Sequence, residues 1–220
     1  METCGKCDRG YLLIRDASGH EQAVECECRK QIRLVVAMDE AGIFPEFRPY
    51  LDPQCKTPGM SREQKDVHKA VQDYIGDLKA RVVVGDGFYL YSAARGTGKT
   101  THLLMILSVA LRAGYTVRNI HWWDLMRVMI TEPDELEAIK DVGVLMIDEL
   151  GKEGAKKETD FPRAMFDYLL RHRLSRLKPT LLASNLEPAE FDEKYGTGVK
   201  SLFTKHIRVM PMHGVDWRGT

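Results

Sequence analysis

From Ser61 onward the apolar positions fall at helical spacing: Val67, Ala70, Val71, Tyr74, Ile75 and Leu78 form one stripe, which predicts a helix with one buried face. Ser61 with Gln64 three residues on is a capping box at its start. The pattern then changes to short segments rich in apolar residues. Phe88 to Tyr91, Tyr115 to Ile120, Val144 to Ile147 and Thr180 to Ala183 predict strands. Helical stretches separate them: Lys99 to Ala113, stopped by Gly114, then Leu125 to Ile130, Pro133 to Lys140, and Asp160 to Arg176. In the last of these, Phe161, Ala164, Met165, Tyr168 and Leu169 are read as the buried face. Strands alternating with helices predict an α/β fold whose parallel sheet is covered on both sides.

Upstream of Ser61 the pattern is different. Residues 1–30 offer only a short apolar stretch, Tyr11 to Ile14, and a turn at Ala17 to His20. Residues 31–60 read as a helix from Gln31 to Glu40 and a connector carrying Pro45, Pro49, Pro53 and Pro58, at which the boundary to a 61–220 unit is drawn. The chain has 220 residues, enough for one α/β domain and a small appendage. No apolar run approaches the ~20 residues of a membrane helix, and the first residues lack a signal-peptide core, so a cytoplasmic protein is expected. With 32 basic and 32 acidic residues there is no global attraction to nucleic acid. Arg163, Arg171, Arg173, Arg176 and Lys178 form one local basic run, read as a solvated helix face. Trp122-Trp123 could stack bases, but beside Leu125 and Met126 both are read as core.

Candidate chemistry concentrates in two places. Between the Phe88 strand and the Lys99 helix lies Ala94-Arg95-Gly96-Thr97-Gly98-Lys99-Thr100-Thr101. Glycines let backbone N–H groups turn onto phosphates, the lysine reaches the β/γ-phosphates, and the Thr100 hydroxyl suits Mg²⁺. Ala93 stands where the phosphate-loop pattern has its first glycine, which is tolerable only at negative φ. Asp148 and Glu149 follow the buried run Val144 to Ile147, at the strand end where open α/β sheets bind ligands. Asp148 is the expected Mg²⁺ partner and Glu149 the residue that polarises the attacking water. Asn185, after Thr180 to Ser184, can orient that water or touch the γ-phosphate.

The second place is the N-terminus. Cys4 and Cys7, with Cys26 and Cys28, offer four thiolates for a tetrahedral zinc ion. Structural zinc contributes on the order of 10–16 kcal/mol of apparent binding free energy, enough to fold a unit with little core. His20 could replace one thiolate. Cys55 is read as a connector thiol.

In order and spacing, the GTGKT loop, Met146-Ile147-Asp148-Glu149 and Lys178 to Leu186 resemble the AAA+ ATPases, and more narrowly the DnaC/DnaI-type loaders of replicative helicases and the IstB transposition ATPases. Gly214-Val215-Asp216-Trp217-Arg218 is similar to that clade's terminal G-x-S-aromatic-R, with Asp for Ser. The resemblance covers residues ~40–220. It implies an AAA+ fold without a lid domain, an ATPase, subunit contacts across ATP, and a role in replication initiation through a hexameric helicase and single-stranded DNA. It also implies that the cysteine module contacts the helicase. The clade's arginine finger lies in G-x-x-x-x-S-R; here Leu202 holds the arginine's place, with Lys200, Lys205, Arg208 and Arg218 as nearby cations. An IstB-like transposition ATPase and a helicase-binding inhibitor with little turnover are the alternative functions.

Overall fold

In a computed structural model, residues 4–54, 59–151, 161–196, 203 and 205–217 are described. Two strands, β1 (Tyr11–Arg15) and β2 (Glu21–Glu25), pair antiparallel and lead into helix α1 (Glu27–Glu40). Then come α2 (Arg62–Gly76), α3 (Leu78–Val84), β3 (Gly87–Tyr91), α4 (Lys99–Arg112), β4 (Val117–His121), α5 (Trp122–Thr131), α6 (Pro133–Asp141), β5 (Val144–Leu150), α7 (Phe161–Ser175), β6 (Thr180–Ser184), α8 (Pro188–Tyr195) and β7 (Ile207–Pro211). The main sheet has five strands in the order β4-β5-β6-β3-β7, all parallel.

Side-chain alternation explains the apolar runs. Phe88, Leu90, Val144, Met146, Leu181 and Ala183 face one side and pack on α1, α2 and α4. Tyr89, Leu145, Ile147 and Leu182 face the other, against α5 to α8. Both faces of the inner strands β3, β5 and β6 are buried, so these strands need no polar side. α1 begins at Glu27, earlier than the pattern predicts, which puts Cys28 in its first turn. Its far end joins the main core through Met38, Ala41 and Ile43. There the Asn119 N–H of β4 donates to Ala41 O at 2.7 Å and Asn119 Nδ2 donates to Gly42 O at 2.9 Å. Gly42 sits at φ +76°, and a Cβ on it would meet the Asn119 carbonyl oxygen at 2.5 Å, so only glycine allows this approach.

Three expectations need correction. The buried stripe of α7 is Phe166, Leu169, Leu170, Arg173 and Leu174; Phe161, Ala164 and Tyr168 are exposed. Pattern reading misses it because a charged residue sits in the stripe. Arg173 is fully buried instead of lying on a solvated face. Its guanidinium donates to Lys140 O and Val142 O (both 2.9 Å), Pro179 O (2.7 Å) and the Thr180 hydroxyl (3.0 Å). These tie α6 to the entries of β5 and β6. Burial pulls the Arg173 guanidinium down to about 9. The tryptophans also split: Trp122 is in the core, edge-on to Phe166 and Tyr195, while Trp123 is 55% exposed.

Arg173→Met removes every donor of the staple and takes the guanidinium from Lys140 O and Val142 O, while Pro179 O keeps only the Leu145 N–H. We expect a loss of about 3–5 kcal/mol of stability, measured by urea denaturation. A loss below about 1 kcal/mol would show that the acceptors find water.

Candidate nucleotide site and cysteine cluster

The candidate phosphate loop leaves the C-terminal end of β3, between the ends of β6 and β7. Ser92 N–H donates to Ser184 O at 3.2 Å, holding the loop's first residue against β6. Ala93, Ala94 and Arg95 are exposed, and Ala93 keeps a negative φ, so the absent glycine adds no strain there. Gly96 and Gly98 take φ +70° and +95°, the left-handed region open to glycine. Lys99 and Thr100 open α4, with Thr101 half-buried behind them. The Lys99 ammonium donates to Ser92 O at 3.1 Å and Ala94 O at 3.0 Å, so the lysine is already folded over the loop.

Asp148 arrives from β5. The Thr100 hydroxyl donates to its Oδ1 and Oδ2 at 3.2 and 3.0 Å. Burial raises the Asp148 carboxyl above the usual carboxylate range, against the lowering effect of the Glu149 N–H and the Thr100 hydroxyl. Glu149 sits at φ +57°. The cause is in the sheet register: Ile147 pairs with Leu182 but Leu150 pairs with Ser184. Two residues, Asp148 and Glu149, therefore oppose Ala183 alone. This β-bulge takes both acids out of the pairing with β6 at the strand's end, while Asp148 stays in register with His121 of β4. Asn185 follows directly on β6, half-buried, one residue past the Ser184 carbonyl that holds Ser92. Lys99, Thr100, Asp148, Glu149 and Asn185 thus all stand at one end of the sheet.

Residues that pattern reading passed over brace the loop. Gln64, read only as a cap, is fully buried; its Nε2 donates to Thr97 O and to Val215 O, both at 3.1 Å. Trp217 N–H donates to Gly96 O at 3.0 Å. The Gly214–Trp217 segment therefore lies on the loop. Ser92 Oγ and His213 Nδ1 are 3.2 Å apart, and His213 O accepts from the Ser61 hydroxyl at 2.7 Å. A cap needs no burial, and the full burial of Gln64 is what the sequence could not show. Leu202, Lys200, Arg218 and Cys55 lie outside the described residues. Lys205 and Arg208 are exposed at the entry of β7, the opposite end of the sheet from the loop. There they line a cavity of about 240 Å³ with Arg81 and Asp86.

The cysteines converge by a different route. β1 and β2 pair Tyr11 with Glu25, and Cys26 N–H donates to Gly10 O at 2.8 Å. The hairpin thereby returns Cys26 and Cys28 to the Cys4–Cys7 turn. The sulfurs of Cys4 and Cys7, Cys4 and Cys26, and Cys7 and Cys28 are 3.5, 3.7 and 3.4 Å apart, and all four lie within 4.8 Å of one another. A tetrahedron with Zn–S bonds of ~2.3 Å has edges of about 3.8 Å, so the cluster fits zinc. Cys4 falls to about 7, first through the Lys6 N–H and then its thiol neighbours, while Cys7 and Cys26 push Cys28 up. His20 stands at the far tip of the hairpin and is not a fifth candidate ligand.

No protein-family model matches the chain. It is 25% identical over 197 residues to the uncharacterized protein YqaM of Bacillus subtilis (strain 168), covering 84% of this chain and 63% of that one. The chain therefore spans less than two thirds of that relative's length. Among solved structures, the DnaC helicase loader superposes with a TM-score of 0.62 at 18% identity, over 77% of this chain and 100% of that one. DnaI gives 0.60 at 19% identity, over 78% and 93%. The replication initiator DnaA bound to AMPPCP and single-stranded DNA gives 0.58 at 18%, over 76% and 50%. None of the described helices is long and apolar enough to cross a membrane. With its five-stranded parallel sheet flanked by helices, the chain has an α/β fold similar to those of the DnaC helicase loader, DnaI and the replication initiator DnaA.

Proposed function

We propose that this chain binds and hydrolyses ATP and loads a replicative DNA helicase. The observation that carries the nucleotide half is the contact between the Thr100 hydroxyl and Asp148 beside the folded-over Lys99. Lys99 exchanges its loop carbonyls for β/γ-phosphate oxygens. Thr100 and Asp148 are the pair that would hold Mg²⁺, which supplies charge neutralisation at those oxygens. Glu149, turned out by the bulge, takes the proton of the attacking water, and Asn185 orients it. The Cys4, Cys7, Cys26 and Cys28 cluster would hold zinc as a structural site, since four thiolates leave no open position.

The loader half is supported by the fold shared with DnaC and DnaI and by the separate cysteine module. Single-stranded DNA and further copies of the chain are its other expected partners. Leu202 in the finger's place favours slow intrinsic turnover, which also suits the inhibitor reading.

Glu149→Gln tests both halves. We expect unchanged nucleotide affinity, turnover reduced about 10²–10⁴-fold, and retention of the hexameric replicative helicase in the ATP-bound state. Equal hydrolysis by the variant shows that another residue handles the water. Assembly on duplex DNA with no helicase retained points instead to an IstB-like transposition ATPase.

A further inference from the structure

The carbonyl of Gly98 receives two bonds from one residue. His102 N–H donates to it at 3.0 Å as the first turn of α4, and His102 Nδ1 lies 2.9 Å from it. A carbonyl only accepts, so Nδ1 carries the proton. His102 Nε2 is then an acceptor, and the atom facing it at 3.2 Å is His68 Nδ1, which must donate. That leaves His68 Nε2 as an acceptor, 3.1 Å from Gln72 Nε2. The same Gln72 amide donates to Pro53 O at 2.7 Å. Every donor meets an acceptor in one direction only, and only with both rings neutral. Burial pulls His102 down to about 4 and also lowers His68, so both rings hold that state.

The two ends of this chain of bonds matter. A trans peptide sets C=O and N–H antiparallel, so pinning the Gly98 carbonyl along α4 aims the Lys99 N–H outward, into the space the loop encloses. That N–H is among the donors a phosphate would use. Pro53 lies in the connector between α1 and α2, next to Leu51, which is buried in the main core. This connector joins α1, whose first turn carries Cys28, to α2. We propose that His102 is a positioning residue for the phosphate loop, and that His68 and Gln72 tie its orientation to the connector at Pro53, coupling nucleotide in the loop to the path toward the cysteine module. The proposal rests on the ATP-binding reading.

Two substitutions separate positioning from coupling. His102→Asn places an amide N–H where Nδ1 stood, keeping the bond to Gly98 O, but reaches no acceptor toward His68. His102→Ala loses both. The readouts are AMPPCP–Mg²⁺ affinity by calorimetry and amide hydrogen exchange over residues 43–54 with and without AMPPCP–Mg²⁺. In the wild type we expect nucleotide to slow exchange in that segment at least about threefold. His102→Ala should weaken affinity about tenfold or more, and His102→Asn should restore it to within about threefold while leaving exchange in residues 43–54 insensitive to nucleotide. Gln72→Ala, remote from the phosphates, should keep affinity and lose the exchange response. A wild type that binds AMPPCP without any change in residues 43–54, or a Gln72→Ala variant that keeps the full response, overturns the coupling. His102→Asn no better than His102→Ala overturns the positioning role. Absence of AMPPCP binding by the folded wild type overturns the ATP reading itself, and is seen separately in the calorimetry.

Discussion

Lys99→Ala should lower ATP affinity about 10²–10⁴-fold. Each charge-assisted hydrogen bond to a phosphate oxygen is worth about 1.5–3 kcal/mol, and a loop lysine makes two such bonds. In the free loop the Lys99 ammonium holds Ser92 O and Ala94 O, bonds it gives up for phosphate oxygens, so the loss in affinity falls on the charge-assisted bonds of the bound state. Lys99→Arg keeps the charge, but its planar fork does not match a pocket built for a point charge, so it should recover only part of the affinity. The measurement is a calorimetric titration with ATP–Mg²⁺, with the thermal midpoint recorded for each variant. A folded Lys99→Ala protein with wild-type affinity would remove this loop as the phosphate site.

The loop and its acidic partner were legible because each depends on local chemistry. Phe88 to Tyr91 and Val144 to Ile147 are apolar throughout, as strands covered on both faces must be, and the residues after them sit at the sheet's C-terminal edge by construction. What could not be read is whatever depends on register or on distant partners. The bulge at Asp148-Glu149 exists only relative to β6, so no periodicity within β5 announces it. β7 was missed because it is an edge strand with Arg208 and Val209 exposed, and it never forms an apolar run. α3 and α8 are too short for a helical stripe to develop. Arg173 inverted the reading of α7, since a fully paired buried guanidinium counts as polar in any pattern. Gln64, His68 and His102 act through partners roughly 30 or more residues away in the chain.

Removing metal should unfold the cysteine module and leave the ATP site intact. The β1–β2 hairpin has almost no core: Tyr11, Ile14 and Val24 are exposed, and Leu13 is 72% exposed. Its other contacts are weak. Arg15 pairs with Glu21 and Arg29 with Glu25 at the surface, where solvent screens ion pairs, and Arg29 lies 4.4 Å above the Tyr11 ring. A two-stranded hairpin with so little buried area is marginal at best. The thiols of Cys4, Cys7, Cys26 and Cys28 are therefore expected to supply the closure, through one zinc ion per chain measurable by elemental analysis. A chelator, or Cys26→Ser, should release that ion and abolish hydrogen-exchange protection across residues 11–25, along with helicase retention. The main core begins at Met38 and takes no side chain from the hairpin, so nucleotide affinity should stay within about threefold. Metal-free protein that keeps hairpin protection and still binds the helicase would show that the thiols close nothing. Loss of nucleotide binding together with the metal would show that the two parts fold as one unit.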